Sequence, residues 1–513
     1  MQRTDVLIIG AGPTGLVLAL WLTKAGIKVR IIDKAENAGT TSRAIVIHAR
    51  NLEFYHQLGV DSIAVEKGIE IKGANLWVRG KKAAHIPFTE LHASISPYQY
   101  MLGFPQDQQE EMLEKQLANL GVAVERSTEL VSFEQSPTGV RAQLKKTNGE
   151  KELCEATYLA GCDGAHSAVR QQLCTGFPGG TYQETFYVAD LCSKGEFHNG
   201  EVNIALDAAD FLAIFPLKGT GSMRLVGTIR PEAINKEPLE WKDVSEGIIK
   251  RLKIDVEEVK WFSTYRVHHR VAAYFRKGNV FLLGDAGHIH SPVGGQGMNT
   301  GIGDAVNLAW KIGAVINDKA PVAMLDTYEP ERMAFARQLV ATTDRAFTFV
   351  SARGFFATQI RIHVVPLLLP LLFKFAAVRR LLFRTVSQTA INYRQSSLSS
   401  GSAGEVKGGD RLPWVPMNGG SDNFAGLTTL KWQVHVYGEV PASIQTFCNE
   451  RNVKLHVFSW NISAKTAGLK KNAVYVIRPD GHIGIAAPDA NLVKITAYFD
   501  KWSIGVLAPV KSK

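Results

Sequence analysis

The glycine-rich turn that begins ten residues from the N-terminus constrains the fold of this chain more than any other feature. An apolar run at 5–9 (DVLII) is typical of a buried parallel strand and leads directly into Gly10-Ala-Gly-Pro-Thr-Gly15. An apolar helical segment, 16–26, and a second strand that ends at Asp33 follow. The order strand, turn, helix, strand predicts a Rossmann-like α/β unit that binds a dinucleotide.

Each residue of this motif has a physical task. Gly10 permits the tight turn, Gly12 lets the backbone approach a pyrophosphate, and Gly15 allows the helix to pack closely on the strand. The phosphates then meet the free N–H groups at the helix N-terminus. Asp33 is placed to accept hydrogen bonds from both adenosine ribose hydroxyls. The rest of the predicted contact set is Pro13, Thr14 and Lys34.

The motif alone leaves FAD and NAD open, and a purely structural glycine turn is the alternative to both. The acidic side chain of Asp33 argues against a 2′-phosphate in this particular site.

Two further blocks bear on that choice. The first, 161–170 (GCDGAHSAVR), directly follows the apolar run TYLAG and contains Asp163-Gly164 and Arg170. The second, 278–312, predicts a strand that ends at Gly284-Asp285, then a glycine-rich loop and a long helix.

Together with the N-terminal turn, these blocks resemble the class A flavoprotein monooxygenases, the family of para-hydroxybenzoate hydroxylase and phenol hydroxylase. The resemblance covers most of the first ~400 residues. It implies a bound FAD, a transiently bound NADPH or NADH, and O2 as co-substrate. It further implies that Asp285 accepts hydrogen bonds from the ribityl chain, and that Asp163 and Gly164 serve both FAD and the docking of the nicotinamide.

The loop after Asp285 is predicted to lie against the flavin ring. Pro292 begins it, and Gly295 and Gly297 let the backbone approach the ring. The amides near Met298 and Asn299, at a helix N-terminus, are placed to stabilise negative charge on the reduced flavin. The alternative is an ordinary strand, loop and helix, with Asp285 as a cap.

Smaller matches extend the predicted site. Arg43 and Gln106 resemble family residues that contact the cofactor, although each alone is compatible with a surface position. Phe211, Phe215 and Pro216 resemble the strand that faces the aromatic substrate, although aromatic residues in a strand are more often plain core.

The matches divide the α/β chain into a discontinuous Rossmann-like FAD domain, an inserted, mainly antiparallel substrate sheet, a helical connector and a thioredoxin-like C-terminal domain. The FAD domain comprises 1–75, 100–180 and 265–345, and the substrate domain comprises 76–99 and 181–264. The connector is 346–400 and the C-terminal domain is 401–513.

The last two parts carry their own expectations. Pro366 and Pro370 are expected to break the connector helices. The apolar stretch 355–384 suggests packing between domains, with peripheral membrane contact as the alternative. A hairpin is predicted around Asp480-Gly481. Since no CxxC pair accompanies the thioredoxin-like pattern, packing or formation of a homodimer is its expected use.

The amino-acid composition indicates which binding partners and which cellular compartment to expect. A net charge of +10 suits either anionic ligands or solubility alone, and the chain lacks the basic runs interleaved with aromatic residues that nucleic-acid binding needs. Five cysteines without CxxC spacing argue against a disulfide scaffold or a metal site and favour a reducing cytoplasm.

The resemblance implies that the chain hydroxylates a phenolic or polycyclic aromatic substrate through a flavin C4a-hydroperoxide. The base is not apparent: phenol hydroxylase has an aspartate shortly after the segment that matches Arg43, and this chain has Ile45 in that neighbourhood. The candidate helpers are Tyr182, Tyr187, His288 and His290. The alternatives are a flavin-dependent reductase or dehydrogenase of a hydrophobic substrate, a halogenase, and a non-catalytic flavin-binding scaffold.

Overall fold

The computed structural model describes residues 2–39, 44–88, 95–194, 197, 199–206, 211–230, 233, 236, 238–291, 293–318, 320–351 and 358–505. The architecture is mixed α/β, with two eight-stranded sheets, a six-stranded sheet and a small three-stranded sheet among the described residues. Strands and helices are numbered in chain order.

The first large sheet contains the N-terminal strand. Its members are β1 (Gln2–Ile9), β2 (Val29–Ile32), β8 (Val124–Glu125), β9 (Thr128–Ser136), β10 (Gly139–Lys146), β11 (Lys151–Gly161), β17 (Arg276–Lys277) and β18 (Val280–Leu282). β18, β11, β1, β2 and β8 lie side by side and pair in parallel. The carboxyl ends of β1, β11 and β18 therefore meet at one edge, and each is followed by one of the three motifs.

Helices cover this sheet. They are α1 (Pro13–Lys24), α2 (Ala49–Leu58), α3 (Asp61–Lys67), α4 (Gln106–Asn119), α5 (Ala168–Gln172) and α7 (Gln296–Asn317). α1 is buried from Gly15 to Leu22 because α4 and α7 both pack against it, which explains its uniformly apolar sequence. The small sheet of β3 (Val46–Ile47), β7 (Met101–Gly103) and β4 (Ile69–Ile71) lies beside them.

The second large sheet has the order β19-β16-β12-β15-β14-β13-β5-β6. Its strands are β5 (Gly73–Val78), β6 (Lys81–Pro87), β12 (Gly179–Lys194), β13 (Val202–Leu206), β14 (Phe211–Pro216), β15 (Ser222–Thr228), β16 (Asp255–Val271) and β19 (His288–Ile289). Every pair is antiparallel except β13 with β5. The mainly antiparallel sheet expected from the sequence is therefore present, and α6 (Glu246–Arg251) packs against its outer face.

The helical connector departs from the prediction in one respect. It comprises α8 (Tyr328–Ser351), a π-helical turn (Ile360–Val364), α9 (Val365–Leu372) and α10 (Ala376–Val386). Pro366 lies in the first turn of α9, where a missing N–H costs no intrahelical bond, and Pro370 lies inside the helix without ending it. The expected break at these prolines is wrong: the chain turns after Leu372, between α9 and α10.

The two connector helices differ in burial. α10 inserts Phe383 into a cluster with Ile45, Val46 and Phe88, so it packs between the small sheet and the second large sheet. α9 contributes no buried residue. No single described helix has the length and apolar character to cross a membrane, although the segments 362–372 and 376–386, bent by 105°, meet that criterion together.

The C-terminal part forms the six-stranded sheet with the order β21-β20-β25-β24-β22-β23. Its elements are β20 (Ser400–Ala403), β21 (Val406–Lys407), β22 (Gln433–Tyr437), α11 (Ala442–Glu450), β23 (Lys454–Phe458), α12 (Ile462–Thr466), β24 (Val474–Ile477), β25 (Ile483–Ala487) and α13 (Leu492–Trp502). β22 and β23 are parallel, and the hairpin predicted around Asp480-Gly481 joins the antiparallel β24 and β25.

A buried ionic network ties this sheet to the N-terminal part. Arg478 donates to both carboxylate oxygens of Glu331 on α8, at 2.9 and 3.0 Å, and to Asp480 at 2.6 Å. Lys311 of α7 donates to Glu331 at 2.8 Å, and the Trp310 indole donates to Asp480 at 3.1 Å. All five side chains are nearly inaccessible to solvent, so the contact is part of the protein interior.

Candidate cofactor and substrate site

The three motifs predicted from the sequence converge at the carboxyl edge of the first sheet. Gly10 has a φ of +101°, and a Cβ on it would lie 2.7 Å from the carbonyl carbon of Cys162 and 2.9 Å from the nitrogen of Asp163. A Cβ on Gly15 would overlap the carbonyl oxygen of Gly10. The tight turn of the first motif therefore packs directly on the backbone of the second motif.

Thr14 connects the first motif to the third. Its hydroxyl lies 2.8 Å from where a Cβ on Gly284 would be, and it fills the place of a Cβ on Gly301. α1 and α7 can approach this closely only because both positions lack a side chain. The helix N-termini of α1 and α7 are thereby held beside each other.

Gly12 differs from the other glycines of its motif. Its φ of −73° is open to any residue, and among the described residues a Cβ on it would meet no atom nearer than Glu110 Oε1 at 4.0 Å. Nothing in the part of the chain that the structure describes requires glycine here, so the space in front of α1 suits a group that comes close to the backbone. Gly12 is the N-cap of α1 without a side-chain cap, and Pro13 occupies the first turn. This arrangement fits the pyrophosphate of FAD.

Asp33 lies at the end of β2, beside that space. Its carboxylate accepts hydrogen bonds from the amides of Ala11 at 2.7 Å and Ala35 at 2.8 Å, and Arg126 lies 4.0 Å away. It therefore fixes the turn of the first motif. Each carboxylate oxygen has a second lone pair for a ribose hydroxyl. The neighbouring Lys34 is exposed.

Glu110, on α4, borders the same space and was not identified from the sequence. Gln106 donates to it at 2.8 Å, so the predicted cofactor residue Gln106 is tied to this carboxyl group. Burial raises the pKa of Glu110, an effect that exceeds the opposing hydrogen bond from Gln106. A raised pKa favours the neutral form of the carboxyl group, and the neutral form does not repel a phosphate. Its only sequence signal is its position one helical turn after Gln106.

Asp163 and Gly164 form the turn after β11. Asp163 accepts from the Val169 amide at 3.1 Å, while its other oxygen is buried and has no hydrogen-bond partner among the described residues. Burial raises the pKa of Asp163. Gly164 has a φ of +77°, which the turn requires. An unsatisfied buried oxygen beside the nucleotide space is what a ligand donor would satisfy.

Arg170 connects the second and third motifs. It donates to the carbonyl oxygens of Ala286 at 3.0 Å and Ala165 at 2.8 Å, and its guanidinium stacks 3.9 Å from the ring centre of Phe177. These contacts hold the turn after β18 against the turn after β11. Asp285, which lies between Gly284 and Ala286, is exposed at this edge.

The predicted flavin-facing loop leads into α7. Gly294 and Gly295 have φ values of +77° and +62°, and Gly295 is the N-cap of α7. Gly297 and Met298 follow in the first turn. Pro292, like Arg43, lies outside the described residues.

Asn299, in the first turn of α7, forms hydrogen bonds through its side chain. Its amide group donates to the carbonyl oxygens of Val46 and Gly295, at 2.8 Å each, and accepts from the His48 amide at 2.9 Å. This buried residue therefore fixes the start of α7 against β3. The sequence predicted only a contribution of its backbone amide.

His48 is a second residue that the sequence did not identify. Its imidazole is fully buried, and its Nε2 lies 4.0 Å from where a Cβ on Gly295 would be. Burial lowers the pKa of His48 to about 4, so the ring is neutral near pH 7. A neutral ring next to this loop has both donor and acceptor capacity.

The alternation of β14 separates its two faces. Leu212 and Ile214 pack with Ile248 and Ile249 of α6 in a cluster on the outer face of the second sheet, which we call the outer cluster. Phe211 and Phe215 point to the other face. Phe215 packs near Ile45, and Phe211 packs with Phe186. Pro216 ends the strand and is buried. Of the two predicted aromatic substrate residues, Phe215 is thus the one that shares a cluster with Ile45 and Val46.

An ion pair lies on the same face of this sheet as Phe215. Arg224, opposite Phe215 on β15, donates to both oxygens of Asp190, at 2.6 and 2.7 Å, and to the carbonyl of Ala44 at 3.4 Å. Arg224 is buried while Asp190 is partly exposed. The pair joins the second large sheet to the segment that precedes β3.

The four candidate helpers occupy different surroundings. Tyr187 packs in the outer cluster, on the face opposite to Phe215, and Tyr182 donates to Asp344 of α8. His288 lies 2.7 Å from Asp304, which Arg332 also binds, and His290 bonds the Ser291 carbonyl at 2.8 Å. Contacts within the protein therefore engage both histidines, and Tyr187 lies on the face of the second sheet opposite to Phe215.

Comparison with known proteins identifies the family. Residues 3–343 match the model of the FAD binding domain family. The chain is 32% identical over 418 residues to 6-methylpretetramide 4-monooxygenase of Streptomyces rimosus, covering 79% of this chain and 72% of that protein. It is 32% identical over 359 residues to pentachlorophenol 4-monooxygenase of Sphingobium chlorophenolicum, covering 68% and 65%.

A solved structure extends the similarity to the C-terminal part. The anhydrotetracycline hydroxylase OxyS of Streptomyces rimosus superimposes with a TM-score of 0.80 at 27% identity, covering 99% of this chain and 100% of that one. The convergent glycine turns, the space at Gly12 and these similarities agree. The chain belongs to the FAD binding domain family, among the FAD-dependent aromatic monooxygenases that its motifs resemble.

Proposed function

We propose that this protein is a single-component, NAD(P)H-consuming monooxygenase that hydroxylates a phenolic or polycyclic aromatic substrate. The observation that carries the proposal is the convergence of three separate motifs around the space at Gly12, with a half-buried aromatic face at Phe215 beside the glycine loop that begins α7. The monooxygenase names of the relatives support the same reaction class.

The proposed binding of FAD uses backbone amides and carboxylates. The amides at the N-terminus of α1 face the pyrophosphate, and Asp33 and Asp285 face the two sugar-derived chains. The start of α7, near Met298 and Asn299, faces the pyrimidine edge. When bound, FAD supplies the redox chemistry: it accepts a hydride from NADH or NADPH and activates O2 at flavin C4a.

The protein's own task is to exclude water and orient the aromatic ring. Phe215 shares a cluster with Ile45, Val46, Phe88 and Phe383, so apolar side chains from the small sheet, the second large sheet and α10 enclose this region. Neutral His48 is a hydrogen-bonding group beside it. We propose it as a residue that orients a phenolic hydroxyl, in place of the base that Ile45 does not supply.

The division of the chain into FAD, substrate, connector and C-terminal portions is part of the proposal. The order β23-β22-β24-β25, with β22 and β23 parallel and β24 and β25 antiparallel, supports a thioredoxin-like C-terminal domain. The network around Arg478 supports a role in packing for that domain.

Anaerobic stopped-flow reduction tests the function. The purified, FAD-loaded protein is mixed with NADH or NADPH, with and without a panel of simple phenols and polycyclic phenols, and the bleaching of the flavin is followed. We expect one coenzyme class to reduce the flavin and a matching phenol to accelerate the reduction. On admission of air, the product should be heavier by one oxygen atom.

Two alternatives predict different results. A reductase or dehydrogenase would complete its turnover without O2 and leave product mass without added oxygen. A flavin-binding scaffold would show neither reduction by NAD(P)H nor O2 uptake with any phenol. Either result would end the monooxygenase proposal.

A further inference from the structure

The helix pair α9–α10 presents an apolar surface to solvent. Leu367 is 70% exposed, Phe375 64% and Leu381 66%, and Leu368, Leu371 and Leu372 are exposed as well. Residue for residue, α9 reads VPLLLPLL, and none of these residues is buried. A contiguous apolar surface of this kind marks an interaction site, because water contact with it is unfavourable.

The same segment is strongly basic. Between residues 345 and 404 the chain has eight Lys and Arg residues and not one Asp or Glu. Lys374, Arg380 and Arg384 are exposed among the apolar side chains. Within the described ranges, neither Lys374 nor Arg380 forms an ion pair. The surface therefore combines exposed hydrocarbon with uncompensated positive charge.

The shape of the pair suits an interface rather than a membrane span. The two helices are bent by 105°, and Lys374 and Phe375 lie at the turn between them. Arg379 donates a hydrogen bond to the carbonyl oxygen of Phe373 at 2.8 Å. This bond satisfies a carbonyl group at the C-terminal end of α9 and stabilises the turn. A bent, basic and apolar pair can lie in the plane of the headgroups, with leucines toward the acyl chains and cations toward phosphates.

A second copy of this chain fits the surface less well. A two-fold interface places the same patch on both partners, so the basic residues of one copy would face those of the other. Like charges across an interface oppose association. An anionic bilayer matches both properties of the surface.

We infer that α9 and α10 form a docking surface for a bilayer that contains anionic phospholipids. The surface adjoins the candidate site: Gln296, at the start of α7, donates to the carbonyl of Val386 at the end of α10, at 2.9 Å. Phe383 on the buried face of α10 lies in the cluster with Phe215. Docking therefore brings the apolar side of the candidate site next to the lipid phase, where hydrophobic aromatic compounds concentrate.

Vesicle flotation tests this inference on the full-length, FAD-loaded protein. Vesicles of phosphatidylcholine alone are compared with vesicles that contain phosphatidylglycerol, at low and high salt. We expect binding only to the anionic vesicles and weaker binding at high salt, because salt screens exposed charges. Both Leu367→Ser/Phe375→Ser/Leu381→Ser and Lys374→Glu/Arg380→Glu should weaken binding by about tenfold or more.

Matched variants elsewhere on the surface serve as controls. Ile462 and Val493, in the C-terminal part, are 84% and 79% exposed, so Ile462→Ser/Val493→Ser removes exposed hydrocarbon at two positions away from α9 and α10. Lys465→Glu/Lys494→Glu makes the same charge change at exposed lysines. These controls should bind vesicles like the unchanged protein, and flavin content and the melting temperature should show that all four variants are folded.

Three results would overturn the inference. The first is no flotation with anionic vesicles, and the second is equal flotation with and without phosphatidylglycerol. The third is that the α9–α10 variants convert a dimer to a monomer, seen by light scattering, without changing vesicle binding, which would assign the surface to a second copy. Because the readout is binding and not turnover, failure here is separate from failure of the proposed monooxygenase activity.

Discussion

The hydroxyl of Thr14 occupies the place that a Cβ on Gly301 would need, and thereby fixes the distance between α1 and α7. One helix N-terminus is assigned to the pyrophosphate and the other to the flavin ring. Their spacing depends on this contact between a small side chain and a residue without one. The packing of the described residues therefore requires glycine at Gly301 and Gly15, but it does not require glycine at Gly12.

Gly12→Val should abolish retention of FAD while the protein still folds, because only the ligand is expected to occupy the space at Gly12. Flavin absorbance of the purified protein measures retention, and circular dichroism measures folding. Gly15→Val is the matched change, and it should prevent folding because its side chain would overlap the Gly10 backbone. A yellow, folded Gly12→Val protein would show that the nucleotide lies elsewhere.

Asp285→Ala should weaken FAD binding by about 1–3 kcal/mol, the scale of a lost hydrogen-bond acceptor for a buried ligand. Fluorescence titration of the apoprotein with FAD measures the dissociation constant. The control is Asp489→Ala, which removes a side chain that is 80% exposed on the C-terminal part. Equal affinity of Asp285→Ala and the unchanged protein would remove Asp285 from the site.

Phe215→Ala should raise KM for the aromatic substrate by about ten- to a hundredfold, since burial of an aromatic contact contributes roughly 1.5–3 kcal/mol. Leu212→Ala, on the other face of the same strand, should instead lower the free energy of unfolding by about 2–5 kcal/mol, because it leaves a cavity in the outer core. Steady-state kinetics and urea unfolding distinguish the two effects. If both variants changed stability alone, Phe215 would be core and not substrate-facing.

Arg478→Met should lower the free energy of unfolding by about 3–5 kcal/mol, because Glu331 and Asp480 then remain buried without their main cation. Arg394→Met is the control: its ion pair with Asp410 is at the surface, so the expected loss is about 0–1 kcal/mol. Urea unfolding at neutral pH measures both. A loss for Arg478→Met as small as that of Arg394→Met would contradict the network.

Stability should fall as the pH is lowered from about 6.5 toward 4. Burial lowers the pKa of His48 and His482 to about 4 and that of His435 well below its usual value. In this window the unfolded chain binds protons that the folded chain does not, so unfolding is favoured as pH falls. Each such histidine contributes up to about 1.4 kcal/mol per pH unit.

His435→Gln tests this pH dependence because it removes one buried imidazole far from the candidate site. The slope of unfolding free energy against pH, measured by urea unfolding between pH 7 and 5, should become shallower. His363→Gln, at an exposed position on the π-helical turn, should leave the slope unchanged. An unaltered slope in His435→Gln would show that this histidine is protonated in the folded state.

The sequence predicted the features that depend on local order. The order of apolar strand, glycine turn and apolar helix is encoded within about 30 consecutive residues. The hairpin at Asp480-Gly481 is likewise encoded by neighbouring residues. Both are present where they were expected. Gly10 meets Cys162 because β1 and β11 are parallel neighbours whose carboxyl ends share one edge, a contact that only the structure shows.

Contacts between distant segments were not predictable in the same way. Glu331, Lys311 and Arg478 are ordinary charged residues in the sequence, and only the packing of α8 against the C-terminal sheet removes them from water. The burial of His48 depends likewise on α7 closing over β3. For Pro366 and Pro370 the residue type was informative but its consequence was not, since a proline in a first turn, or on an exposed helix, does not have to end it.

The ionic network around Arg478 also means that the C-terminal sheet is not a detachable appendage. A shortened chain that stops near residue 400 would leave Lys311 and Glu331 facing a vacated hydrophobic surface next to Trp310. Cleavage of the chain just before β20 should yield two fragments that stay associated and coloured. The C-terminal sheet could be exchanged between relatives only if its contact residues Lys311 on α7 and Glu331 on α8 were exchanged with it.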